Sequence, residues 1–242
     1  MRYIFFILIL FSLNNFSGEI WLSASAHSTG ALDTNWRTDV SILNQNEETV
    51  NLLVYFIKNG IDKSSENLSR PPVSLSIPPK NQLKIDDILK EKFSVEQGSG
   101  ALMFSSEKDI MIVSRTYNLL PDKEYGQFIP GQKFIEAKKE QKLIGAVSST
   151  AFRTNLGILN PSKTEVAQIT LKFIGKNGNL VKESTLNLDP WVHIQFNDFF
   201  SYFGITPQED LSVFINSSTG IYCYLSIVDN QSSDPIFIPG LL

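Results

Sequence analysis

The feature that most limits the fold is a duplication. Trp36-Arg37-Thr38-Asp39-Val40-Ser41-Ile42-Leu43-Asn44-Gln45 returns 116 positions later as Phe152-Arg153-Thr154-Asn155-Leu156-Gly157-Ile158-Leu159-Asn160-Pro161. Val50, Leu52, Val54 and Phe56 are matched by Ala167, Ile169, Leu171 and Phe173, and residues 83–87 by 194–198. Residues 101–118 match 212–229, and the copies close alike on Phe128-Ile129-Pro130-Gly131 and Phe237-Ile238-Pro239-Gly240. Landmarks in one order, with drift only between them, describe the same module twice. The copies are read as residues 19–131 and 143–242, joined by a charged connector, 132–142.

Within each copy the apolar period is two. Val50-x-Leu52-x-Val54-x-Phe56 and Ile169-x-Leu171-x-Phe173 alternate as strands with one face in a core. Asn59-Gly60 and Asn177-Gly178 supply turn signals, and polar turns are expected near residues 105–109 and 216–220. About seven short strands in each stretch of roughly 100 residues predict an all-β chain. The expected architecture is two tandem antiparallel β-sandwich, immunoglobulin-like domains. Each carries one short helix, after Asp87 (residues 88–93) and after Asp198 (residues 199–203), with the aspartate as helix cap.

The shared landmark Thr34-Asn35-Trp36-Arg37-Thr38-Asp39 and the Phe-x-Pro closures resemble tandem repeats of uncharacterised secreted bacterial β-sandwich proteins. The second copy also resembles the sensory rhodopsin transducer family. The matching stretches are Ile158-Leu159-Asn160, the alternating strand 166–173, Leu188-x-Pro190, Phe196-Asn197-Asp198 and residues 213–229. The resemblance implies a sandwich used for protein association. The leader and the duplication depart from the transducers, so only the fold is carried over.

The chain opens with Met1-Arg2-Tyr3, about ten apolar residues and a polar exit at Asn14-Asn15-Phe16-Ser17-Gly18. A charge, a short apolar run and small residues read as a signal peptide over residues 1–18. Ten helical residues reach only about 15 Å, too short to span a bilayer. No later apolar run is long enough, so the reading is an exported protein, periplasmic or extracellular, with no transmembrane segment after signal removal. A net charge of −4 argues against nucleic acid as partner. One cysteine, Cys223, rules out an internal disulfide, and two distant histidines, His27 and His193, form no metal motif. No cofactor or metal is implied.

Few residues suggest chemistry. Arg37 and Arg153 hold one repeat position, as do Asp87 and Asp198. Each arginine is read as a structural partner of the nearby aspartate or of loop carbonyls, or else as a surface group that grips an acidic or glycan partner. Trp191, with Phe199, Phe200 and Tyr202, gives the second copy an aromatic end that could form an interaction surface. Asn67-Leu68-Ser69 and Asn216-Ser217-Ser218 fit the glycosylation pattern. No nucleophile–histidine–acid set or phosphate loop stands out. The sequence therefore reads as a non-enzymatic exported binding or structural protein of the cell envelope or exterior. It would act through protein–protein contacts of its two sandwiches, with self-association possible. The alternative is a carbohydrate-binding pair that uses Trp191 and its neighbours.

Overall fold

A computed structural model describes residues 18–30 and 34–241 of the chain; the expected signal peptide lies outside the described residues, apart from Gly18. The first half runs β1 (Gly18–Thr29), β2 (Asn35–Leu43), β3 (Val50–Lys58), α1 (Ser64–Ser69), β4 (Val73–Ile77), β5 (Gln82–Ile85), α2 (Ile88–Phe93), β6 (Gly98–Ser106), β7 (Met111–Leu119) and β8 (Glu124–Pro130). The second half runs β9 (Gln132–Lys133), a 3-10 turn at Phe134–Glu136, β10 (Lys138–Ala146), β11 (Phe152–Asn160), β12 (Ala167–Ile174), β13 (Leu180–Leu188), β14 (Val192–Phe196), α3 (Phe199–Tyr202), β15 (Leu211–Asp229) and β16 (Pro235–Pro239). All strand pairings between these elements are antiparallel, and the chain is all-β as expected.

Each half builds the same pair of sheets. In the first, β4-β3-β6-β1 faces β5-β2-β7-β8; in the second, β13-β12-β15-β10 faces β14-β11-β15-β16. The alternation explains the two cores. Leu52, Val54 and Phe56 point inward with Ile20, Leu22, Leu102 and Phe104. Ile169, Leu171 and Phe173 do the same with Val213, Ile215, Cys223 and Leu225.

The outward residues of two sheets then make a third core. Trp21, Ile57, Ala101 and Met103 from the outer face of β3-β6-β1 pack on Leu159, Trp191 and Tyr222 from the second half. The four sheets are thus stacked in layers, with the β3-β6-β1 and β11-β15 sheets meeting in the middle. Polar links flank this seam. The Gly60 amide donates to the His193 carbonyl at 2.9 Å. The Asn59 Oδ1 accepts the Gln195 amide at 2.8 Å, and Asn67 Nδ2 donates to the Trp191 carbonyl at 2.9 Å.

Three local expectations change. Residues 132–142 are not a connector: β9 pairs with β1, and β10 is an outer strand of the second sandwich. Gln141, Leu143 and Ala146 are buried there, while the charges of Glu140 and Lys142 point out. Asn59-Gly60 does not close a hairpin, because α1 is inserted before β4. Residues 216–220 do not turn; β15 runs extended from one sheet into the other, with the Ser218 Oγ accepting the Gln168 amide. Asn67, one of the two glycosylation matches, is buried in the seam; Asn216 is exposed.

A shared core couples the halves. Heating should therefore give one cooperative transition rather than two. Trp21→Ala, which removes the ring common to both halves, should cost about 3–5 kcal/mol, the range for large-to-small changes in a core. Scanning calorimetry checks both, and two separated transitions in the unaltered protein would show that the seam does not couple the halves.

Candidate functional site

The repeated ten-residue motif is the natural place to look for chemistry, and most of it is structural. Thr38 and Thr154 are fully buried. Each hydroxyl takes an amide and returns to the carbonyl of the same residue, Ala26 in the first copy (2.8 and 3.1 Å) and Val147 in the second (3.0 and 2.7 Å). Asn44 and Asn160 are fully buried as well. Asn44 Nδ2 lies within 3.0 Å of the carbonyls of Glu48, Ile77 and Pro78, and Asn160 Nδ2 within 3.1 Å of those of Glu165, Leu188 and Asp189. The side chain satisfies loop carbonyls that burial would otherwise orphan. These asparagines were not singled out from the sequence, although identity at both copies of Leu-Asn was the available signal.

Asp87 and Asp198 sit where expected, at the start of α2 and α3, but neither side chain caps its helix. Both backbones are left-handed, with φ of 45° and 44°, a conformation that aspartate tolerates better than most residues. Their amides are held instead from the motif: Asp39 Oδ1 accepts the Asp87 amide and Asn155 Oδ1 the Asp198 amide, each at 3.0 Å. The Asp-to-Asn difference between copies is neutral for this bond, because only an oxygen acceptor is used.

The arginines part company here. Arg37 Nε stands 3.2 Å from Asp87 Oδ2, and His27 Nδ1 stands 2.7 Å from the same oxygen. Arg37 is the structural partner of Asp87. Arg153 has no carboxylate oxygen within 4.0 Å among the described residues; its Nη1 donates to Asn230 Oδ1 at 2.8 Å. Burial lowers its pKa below the ordinary value, and the field of Asp198 opposes that.

The aromatic end is not a surface. Trp191 is 3% exposed and sits in the central seam, edge-on to Trp21 (6.2 Å) and Tyr55 (5.2 Å). Its backbone is left-handed, at φ 53°, which is strained for so large a side chain. Phe199 and Phe200 are buried in the second core, and only Tyr202 is exposed. Stacking of Trp191 on a sugar is thereby excluded, because its ring already packs against two others.

The remaining reactive types are sealed in. Cys223 lies in the second core, where burial pushes its thiol pKa up. His193 is buried, with Nε2 3.1 Å from Tyr224 Oη, which donates to Gln195 Oε1 at 2.8 Å. Gly157 lies opposite Tyr224 on the neighbouring strand, and a Cβ there would fall 2.0 Å from the ring. Burial lowers the His193 pKa to about 4, opposed by the Ser23 backbone. Among the described residues no group of three or more His, Cys, Asp or Glu could hold a metal ion, and no helix is long and apolar enough to cross a membrane.

Two surfaces of the described residues bear on binding. One is the outer face of β2-β7-β8, where Met111, Val113 and Phe128 are 55%, 38% and 61% exposed. The other is a cleft of about 230 Å³ between the sandwiches, lined by Arg153, Asn155, Trp36 and side chains of both halves.

No family model matches the chain, and no curated protein matches it. Among solved structures, Thermotoga maritima 1070 is similar over 48% of this chain and 92% of its own, at 12% identity and a TM-score of 0.37. A glycosyl hydrolase family 2 member from Bacteroides cellulosilyticus DSM 14838 is similar over 92% of this chain and 28% of its own, at 10% identity and a TM-score of 0.19. Likenesses at these scores carry no argument here.

The arginine twins should differ in stability assays. Arg37→Ala strips a partly buried pair and should cost about 1–3 kcal/mol, between the surface and fully buried ranges. Arg153→Ala should cost less than about 1 kcal/mol. Urea titration of both variants decides it, and equal losses would refute the assignment.

His193 sets a pH dependence. Its folded pKa is depressed, so between the ordinary 6.5 and about 4 the unfolded chain binds a proton that the folded chain refuses. Stability should fall as pH drops through that window, by about 3 kcal/mol at most from this group. His193→Gln, which installs the residue found at the matching position 82, should flatten that part of the curve. Denaturation midpoints at pH 7 and pH 4.5 for both proteins measure the difference.

Proposed function

We propose that this chain is a non-enzymatic exported protein that binds another protein through the outer face of β2-β7-β8. One observation carries the reading: this face is the repeat counterpart of the face by which the second sandwich docks on the first. Leu159 opposite Tyr222, and Tyr224 opposite Pro239, lie on the docked sheet. Their counterparts are Leu43 opposite Met111, and Val113 opposite Pro130. In the second copy Leu159 and Tyr222 meet Trp21 and Met103, and Tyr224 packs on the first core; in the first copy Met111 and Val113 meet solvent. A contiguous apolar sheet face rimmed by charge is the usual mark of a protein contact.

A second copy of the chain is a poor occupant. Head-to-tail stacking would need the far face of the molecule, on β10-β12-β15, to repeat the face that carries Trp21 and Tyr55. Those two residues flank Met103 in the ladder; their counterparts flank Phe214 and are Lys142 and Lys172. Two ammonium groups in place of two aromatics oppose burial of that face. The reading therefore takes a different protein, one that presents an aromatic sheet face, as the partner. The sealed positions of Cys223 and His193 fit a non-catalytic role, and the apolar opening segment of the sequence supports export.

A photo-crosslinking amino acid placed at Phe128, with Gln168 on the far face as control, tests this in cells that make the protein. Adducts with one other protein are expected from position 128 and not from 168. Adducts with the protein itself, or none from either position, would overturn the reading.

A further inference from the structure

We infer that the cleft between the sandwiches binds a small polyhydroxylated carboxylate, an acidic sugar, with Arg153 as its anchor. The cleft is lined by β1, β2, β6, β7 and β8 of the first half and by β11, β14 and β15 of the second. Its volume of about 230 Å³ suits one small molecule. Arg153 is the sole charged side chain among its described lining residues, and Trp36 the sole aromatic.

The hydrogen-bonding state of the lining gives the ligand's chemistry. Asn155 has its oxygen fixed by the Asp198 amide, so its Nδ2 is the end left for a ligand. Gln127 accepts from Ser226 through Oε1, and Asn197 accepts from Gln195 through Oδ1. Among the described residues no acceptor is bonded to the Nδ2 or Nε2 of these three amides, nor to Arg153 Nε or Nη2. In these three amides the oxygen is used internally and the NH2 group is not. A donor-rich cleft with one guanidinium selects a ligand rich in acceptors and carrying a negative charge. Trp36 offers an apolar edge to the carbon face of a sugar ring.

Comparison between the copies sharpens the assignment. In the first copy, the same two motif positions hold Arg37 and Asp39. Arg37 is held by Asp87, and Asp39 is engaged by the Asp87 amide, the Tyr117 hydroxyl and Lys84. That constellation is closed on itself. In the second copy, Asp39 is replaced by Asn155, and Asp198 is beyond ion-pair distance of Arg153. Asp198 acts on the guanidinium through its field, and it is not part of the cleft wall. A half-buried guanidinium with donors to spare is the arrangement that a bound carboxylate completes.

Isothermal titration of the purified protein at fixed ionic strength tests this, with D-galacturonate, D-galactose and acetate as probes. Saturable 1:1 binding of galacturonate is expected, at least tenfold tighter than either galactose or acetate. Arg153→Gln should weaken it at least tenfold, and Arg37→Gln should leave it unchanged. Asn197→Asp, at an exposed wall position, should weaken galacturonate binding without disturbing the fold, and it decides the matter should Arg153→Gln fold poorly. No saturable binding of galacturonate would overturn the inference, as would equal affinity for galactose or full affinity in a folded Asn197→Asp protein.

Discussion

The apolar seam between the two middle sheets is the contact on which the rest of the molecule depends. Trp21 has no exposure and lies within 6.2 Å, ring to ring, of both Trp191 and Tyr222. A strand that alternates apolar and polar residues can cover only one face of its sheet. β1 and β6 instead carry apolar residues on both faces: Ile20 and Leu22 inward, Trp21 outward; Leu102 and Phe104 inward, Ala101 and Met103 outward. Such strands belong to the interior of a layered stack, with a sheet packed on either side. The strained backbone at Trp191 is held by the same seam. Its ring is packed on two others, and its carbonyl is bonded by Asn67.

The duplication separates what the fold needs from what is free to vary. Residues kept in both copies are those that satisfy buried backbone: the threonine that clamps the neighbouring strand, the asparagine that gathers three carbonyls, the aspartate with a left-handed backbone. Core positions exchange one apolar residue for another, as Val50 for Ala167 and Ile112 for Cys223, while the changes of chemical character at Trp21, Tyr55 and Asn155 lie on outer faces or in the cleft. Trp21 and Tyr55 against Lys142 and Lys172 decide which face is buried. Asp87 at 3.2 Å from Arg37, against an Asp198 beyond ion-pair distance of Arg153, decides whether the arginine is closed off or left with donors to spare. Divergence within one chain is informative here because both copies obey the same local geometry, so a difference in side chain has few explanations other than a difference in neighbour.

Much of the fold was legible from the sequence, and the site was not. Period-two alternation marks strands because side chains point to opposite faces, and that signal is local. The core of each sandwich followed from it, whereas the helix at Ile88–Phe93 was placed by the aspartate before it, whose side chain caps nothing. Residues 138–146 were hidden because Lys138, Lys139, Glu140 and Lys142 outweigh Gln141 and Leu143 in composition, although charges on an outer strand face cost nothing. Trp191 was misread for a related reason. Its sequence neighbours, a turn proline and a polar strand, suggest exposure, while the residues that bury it are Trp21 and Tyr55, more than 130 positions away. The two arginines looked equivalent because they share a motif. Only the spatial neighbours, Asp87 at 3.2 Å for one and no carboxylate within 4.0 Å among the described residues for the other, distinguish them.

The stack also has a direction, and this follows from how it is built. A module that docks one sheet's outer face onto a different face of its twin forms a heterologous contact, which can continue without closing. Two modules leave two free ends of opposite type. One end presents Lys142 and Lys172, whose burial would require stripping water from two ammonium groups. The other presents Met111, Val113 and Phe128, which gain from burial at roughly 25 cal/mol per Å². Repeat arrays commonly need a polar cap at their ends to stay soluble. Here one end carries two lysines and the other does not, so on the proposed reading the asymmetry that disfavours head-to-tail stacking is the same asymmetry that leaves the β2-β7-β8 face to a different protein.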